Sequence, residues 1–234
     1  MHHNRLLFHI VWLTGLLAAC NSAEKPEQSA QQPAQSATST QSAPATKQKT
    51  ILFFGNSLSA GYGLDPGQAF PALIGKRLDS LRYNYKVINA GLSGETTAGG
   101  RSRISWVLRQ PVDLFVLELG GNDGLRGIPL DATRRNLQAI IDTVRKKSPQ
   151  ARIVLAGMQI PPNMGPQYTA DFRKIYPELA QKNNALLIPF LLEGVGGVPR
   201  LNQSDGIHPT AEGHKIVTET VWKVLKPELE GPAG

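Results

Sequence analysis

The sequence predicts an α/β fold, a three-layer α/β/α sandwich on a five-stranded parallel sheet with strand order 2-1-3-4-5. Three observations carry that expectation. From Thr50 onward, short apolar runs alternate with stretches of helical period, the pattern of strands joined by helices. The runs are mostly apolar rather than alternating, as strands covered on both faces are. At 234 residues and 41% hydrophobic, the chain is also long enough to bury a core that needs neither disulfide nor metal.

The amino-terminal residues precede that pattern. Arg5 is followed by an almost wholly apolar stretch, 6–19, too short to span a bilayer and suited to a signal-peptide core. It ends in Leu17-Ala18-Ala19-Cys20, which resembles the bacterial lipobox. That resemblance implies cleavage after residue 19 and lipid attachment at Cys20. The mature chain would then be anchored to a membrane of the bacterial cell envelope, on the periplasmic side or at the outer membrane. Asn21 stands where an aspartate is associated with inner-membrane retention in some bacteria, which points outward. Cys20 is the only cysteine, so no intrachain disulfide can form. Residues 21–49 contain no aromatic residue and no Leu, Ile or Val. Such a segment cannot bury enough apolar surface to offset its ordering entropy. Residues 20–49 therefore read as a disordered tether that holds a domain roughly 30 Å from the anchor.

The domain itself is predicted over 50–229, with a disordered tail at 230–234. Residues 51–54 form the first strand, stopped by Gly55, and a helix over 69–81 presents Phe70, Leu73, Ile74 and Leu78 on one face. A second strand is expected at 86–89 and a helix at 96–108. Residues 113–119 read as an apolar strand closed by Gly120 and Gly121. Asp131 is the expected N-cap of a helix to 147 whose inner face is Leu137, Ile140, Ile141 and Val144. The fourth strand is 152–156, a looser helix runs over 169–183, and the fifth strand is 185–188. The last helix, 211–225, ends before Pro227. Right-handed crossovers then give the strand order stated above.

Several chemistries are disfavoured. The net charge is +7, but the basic residues are scattered and not interleaved with aromatics, so no nucleic-acid partner is expected. Beyond the leader only two histidines remain, His208 and His214, with no cysteine, so no metal site is expected. No phosphate-binding Gly-x-x-x-x-Gly-Lys is present, and the other glycines miss the dinucleotide spacing, so no cofactor is implied.

A parallel sheet aligns its strand ends on one edge, where ligands of open α/β sheets bind. Strand one delivers Ser57 to that edge. Strand two delivers Asn89-Ala90-Gly91-Leu92-Ser93-Gly94, strand three delivers Gly120-Gly121-Asn122-Asp123, and a loop before the last helix carries Asp205-Gly206-Ile207-His208-Pro209. His214 lies within the last helix among polar neighbours and reads as a surface residue. His208 sits in a loop where neither helix propensity nor packing asks for a histidine. The α/β-hydrolase elbow Gly-x-Ser-x-Gly is not matched, because Ser59 stands at its final glycine.

In this order the four blocks resemble the SGNH (GDSL-like) hydrolases, closest to the bacterial arylesterase, thioesterase and lysophospholipase branch, across nearly the whole domain. The resemblance implies a flavodoxin-like sheet and a serine esterase that works through an acyl-serine intermediate. Carried over to matching positions, it makes Ser57 the nucleophile, His208 its general base and Asp205 the residue orienting the imidazole. The backbone N–H groups of Ser57 and Gly94 and the side-chain amide of Asn122 would form the oxyanion hole. Asn56 departs from the family's Gly-Asp-Ser-Leu; its amide carbonyl can still accept a hydrogen bond, but the charge is gone. The expected substrate is a small acyl or aryl ester, thioester or lysophospholipid, in a pocket walled by Leu125, residues 160–165 and residues 190–192. Two other readings stand beside it: a carbohydrate O-acetylesterase using the same triad, and a non-catalytic lipoprotein that only binds its ligand.

Overall fold

The computed structural model describes residues 47–231. The expected signal peptide, the expected lipid attachment at Cys20, most of the expected tether and the end of the tail lie outside the described residues. Within them, five strands form one sheet: β1 (Lys49–Gly55), β2 (Tyr85–Asn89), β3 (Leu114–Glu118), β4 (Arg152–Ala156) and β5 (Leu186–Ile188). The order is β2-β1-β3-β4-β5 and every pairing is parallel, as the sequence predicts. β1 lies inside the sheet, between β2 and β3, and is apolar on both sides. Phe53 and Phe54 point to opposite faces and are both fully buried. Phe53 meets Phe70 edge-on at 5.5 Å, and Phe54 lies 5.8 Å from Phe115 of β3.

Helices cover both faces: α1 (Ser57–Ala60), α2 (Phe70–Ser80), α3 (Thr97–Val107), α4 (Gly121–Leu125), α5 (Leu130–Lys147), α6 (Pro166–Lys182) and α7 (Ala211–Leu225). α2 packs with α7 on one face, and α5 packs with α3 and α6 on the other. The inner stripe of α5 is fully buried at Leu137, Ile140, Ile141 and Val144, which is the helical period read from the sequence. Its N-cap, however, is Pro129 rather than Asp131, which falls in the first turn. There its carboxylate faces the positive end of the helix without capping it.

His214 is the larger correction. It is 1% exposed, not a surface residue, because its acceptor is needed elsewhere. α2 begins after Ala69, which has no side-chain oxygen to cap the helix. His214 supplies the acceptor from α7: its Nδ1 takes the Phe70 N–H at 3.1 Å, with the two rings stacked. The partner lies 144 positions away in sequence. Burial, and secondarily the nearby His208, pushes the His214 pKa down from 6.5 to about 4.

A group whose folded pKa lies below its unfolded value adds stability above the unfolded pKa and loses it as pH falls. For His214 that window runs from 6.5 down to about 4. We predict that urea-unfolding stability of the wild type, relative to a His214→Gln variant that keeps an acceptor but cannot titrate, falls across this window. The fall should be on the order of 3 kcal/mol at ~1.4 kcal/mol per pKa unit. A wild-type-minus-variant difference that stays flat from pH 7 to pH 4 would refute the role assigned to His214.

Candidate active site

The segment after β1 sets the site. Asn56 is the N-cap of the four-residue helix α1, and its Oδ1 accepts the Leu58 N–H at 2.9 Å. The amide thus does the capping work expected of its carbonyl. Gly61, in the left-handed conformation, ends the helix one turn later. Ser57 is therefore the first helical residue, 8% exposed, at the carboxyl edge of the sheet.

His208 reaches it from the loop before α7. The His208 Nε2 lies 2.9 Å from Ser57 Oγ, and Nδ1 lies 2.6 Å from Asp205 Oδ2. The other Asp205 oxygen accepts the backbone N–H groups of Ile207 at 2.9 Å and His208 at 3.0 Å. The His208 N–H first, then its ring, then the Ile207 N–H hold the Asp205 pKa down to about 2. Asp205 is therefore ionised at any pH where an imidazole titrates, and it fixes the ring with Nδ1 toward itself and Nε2 toward Ser57. Tyr62 packs on the outer side of the imidazole, with ring centroids 4.6 Å apart.

Ser57 and His208 open onto a cavity of about 460 Å³ whose lining includes Asn122, Leu125, Ile160, Phe190 and Leu192. Of the walls expected from sequence, Leu125, Ile160, Pro161, Pro162, Phe190 and Leu192 take part. Asn163, Met164 and Gly165 are not among the lining residues, and Leu191 is fully buried in the core. Met158, Gln159 and Ile207 also line the cavity and were not anticipated.

Asn122 donates one amide N–H to the Glu95 carbonyl at 2.9 Å, which fixes the side chain and leaves the second amide hydrogen for the cavity. Gly94, just before Glu95, is exposed and is not among the lining residues. A Cβ there would meet only Arg126 Nη2, at 4.0 Å, so space does not require glycine. The backbone does: φ is +78°, a conformation that other residues rarely hold. Among the described residues no protein acceptor engages the N–H of Ser57 or that of Gly94.

Three residues around the site were not singled out from sequence. Asp123, fully buried, accepts the N–H and the hydroxyl of Thr97 and so ties the start of α3 to α4. Arg103 pairs with buried Glu95 and reaches the Ala90 carbonyl at 2.8 Å, bracing the loop that carries Gly94. Glu118, the last residue of β3, is fully buried beneath Ser57 and its neighbours. It lies inside the run that reads as an apolar strand. The available signal was a carboxylate at the end of a central strand, opposite Gly55. Burial pushes its pKa up to about 7, against the pull of Ser59 and the Asn56 N–H.

Comparison with known proteins places this geometry. Residues 53–216 match the GDSL-like lipase/acylhydrolase family. The esterase TesA of Pseudomonas aeruginosa is 44% identical over 182 residues, 77% of this chain and 90% of that protein. The thioesterase 1/protease 1/lysophospholipase L1 of Escherichia coli K12 is 38% identical over 179 residues, covering 76% of this chain and 84% of that one. Among solved structures, a crystal structure of TesA superposes with a TM-score of 0.73 at 43% identity, covering 76% of this chain and 99% of the other. With the parallel sheet, its strand order and the sequence match all in agreement, the chain belongs to the GDSL-like lipase/acylhydrolase family.

Proposed function

We propose that this protein is a serine esterase that hydrolyses carboxylic esters of acyl or aryl groups, thioesters and lysophospholipids included, through an acyl-serine intermediate. The observation that carries the reading is the hydrogen-bonded series Asp205–His208–Ser57 at the mouth of a largely apolar cavity. The kinship to proteins named esterase and thioesterase supports the reaction class.

In the first half-reaction Ser57 Oγ attacks the substrate carbonyl while His208 Nε2 takes its proton. Asp205, ionised, stabilises the imidazolium. The oxyanion is met by the N–H groups of Ser57 and Gly94 and by the free amide hydrogen of Asn122. The tetrahedral intermediate collapses as His208 returns the proton to the leaving alcohol or thiol, leaving the acyl group on Ser57. In the second half His208 deprotonates a water, which attacks the acyl carbonyl, and Ser57 leaves as the alcohol with the proton restored. Apolar walls at Leu125, Ile160, Phe190 and Leu192 suit an acyl or aryl group better than a sugar. The reading also places the enzyme at the cell envelope, held through lipidated Cys20.

We predict that the purified protein hydrolyses p-nitrophenyl esters and that Ser57→Ala lowers kcat by ~10⁴-fold or more. Rates across an acetyl-to-palmitoyl series would size the cavity. Background rates on every ester for the wild type, with turnover of acetylated glycans instead, would replace this reading with O-deacetylation. A second prediction concerns the oxyanion: Asn122→Ala should lower kcat by ~10²–10³-fold with KM little changed, since the donor acts on charge that develops only in the transition state. A raised KM at unchanged kcat would assign Asn122 to ground-state binding.

A further inference from the structure

Beneath the nucleophile loop lies a carboxylate whose position ordinary packing does not account for. Glu118 is 0% exposed. All its hydrogen bonds converge on one oxygen, Oε2, which accepts the Asn56 N–H at 3.0 Å, the Ser59 N–H at 3.2 Å and the Ser59 hydroxyl at 2.8 Å. The other oxygen, Oε1, has no partner among the described residues. The two residues it grips, 56 and 59, bracket Ser57. Gly55, paired with Glu118 across β1 and β3, leaves the necessary room: a Cβ there would lie 2.2 Å from Ser59 Oγ and 2.3 Å from Glu118 Oε2.

Sealing a carboxylate from water is costly. A group retained with one oxygen unsatisfied therefore calls for a reason other than packing. The loop supplies one. α1 has only four residues, so it contributes little order of its own. From the cavity side it is held by the Asn56 cap on Leu58. From the sheet side it is held by the Asn89 side chain of β2, which donates to the Ser59 carbonyl at 2.7 Å, and by Glu118, which alone takes donors on both sides of Ser57.

We infer that Glu118 is a positioning residue for the reaction: its Oε2 clamps the backbone on both sides of Ser57 to the end of β3, so that Ser57 Oγ meets His208 Nε2 and the Ser57 N–H faces the developing oxyanion. Ser59 is the second half of the clamp, donating twice to the same oxygen. The inference rests on Ser57 being the nucleophile, and it extends that assignment to a residue that touches no substrate. Loss of the clamp costs turnover more than binding, because the apolar walls at Leu125, Ile160, Phe190 and Leu192 come from other loops.

The test compares Glu118→Leu and Glu118→Gln in the purified protein, with Ser57→Ala as reference. Readouts are kcat and KM on a p-nitrophenyl ester, the rate of Ser57 acylation in single-turnover experiments, and the thermal midpoint. Glu118→Leu is expected to lower kcat and the acylation rate by ~10²-fold, the scale of an ångström's misplacement, with KM within about threefold. Its thermal midpoint should also fall, because the Asn56 N–H, the Ser59 N–H and the Ser59 hydroxyl lose their acceptor, so the kcat-against-KM split and the rescue by Glu118→Gln carry the test. Glu118→Gln keeps an acceptor oxygen in place, and it should retain kcat to within ~10-fold of wild type.

Wild-type kcat in Glu118→Leu overturns the inference, as does an equal loss in both variants, or a loss confined to KM. Should Glu118→Leu fail to fold, the cycle of Glu118→Gln with Ser59→Ala decides. Non-additive effects on kcat support the clamp, and strictly additive ones overturn it. Residual full activity in Ser57→Ala would overturn the nucleophile assignment itself, whatever the Glu118 variants do.

Discussion

The constraint on which the rest of this structure depends is the common direction of its five strands. Because every pairing is parallel, each strand releases its chain at the same edge, and groups far apart in sequence arrive in one place. Ser57 comes from β1, Glu118 and Asn122 from the end of β3 and just beyond it, and the apolar walls from the segments after β3, β4 and β5. His208 lies 151 positions from the serine it contacts, in the loop that starts the last helix. Precision comes from the sheet rather than from the loops. Its central strands are buried on both faces, and a packed interior of this kind shifts little without loss of contacts.

Two carboxylates at the site show how placement sets the behaviour of one chemical group. Asp205 sits near the surface and accepts two backbone N–H groups together with the imidazole, so its charge is held firmly. Glu118 is sealed from water, and its burial works against its charge while three donors work for it. The first orients a base directly. The second acts largely through backbone, on a four-residue helix otherwise held by its cap and by the Asn89 side chain on the Ser59 carbonyl. Asn56 belongs to the same economy of charge. As a neutral residue it caps α1 without setting another carboxylate beside Glu118.

The fold was legible because it rests on local pattern. The strand order, the inner stripe of α5 and the bounds of β4 and α7 follow from periodicity and from glycine or proline stops. Ser57, His208, Asp205 and Asn122 could be named because the blocks that carry them, each present once, follow one another in the order of the family they resemble. The residues that escaped are those whose purpose lies in another element. His214 has Glu212 and Lys215 for neighbours, so its helix looks polar there. Only the folded arrangement reveals that α2 lacks a cap and borrows one from α7. Glu118 was hidden by the apolar residues before it, because a strand read by hydropathy does not disclose which side chain turns beneath a neighbouring loop. Gly94 was named for its backbone N–H, and only the folded chain shows that its torsion is what demands glycine.

The direction of the strands also decides what the two ends of the fold can be used for. Lys49 opens β1 at the amino edge, and the seven residues of that strand separate it from the cavity edge by roughly 20 Å. α7 runs back the same way, and beyond it Glu230 pairs with Lys49 and donates its N–H to the Tyr85 hydroxyl at 3.1 Å. Both ends of the fold therefore leave from the side opposite the cavity mouth. A surface, a fusion partner or an affinity resin attached at either end grips the domain by its back and leaves the entrance clear for substrate.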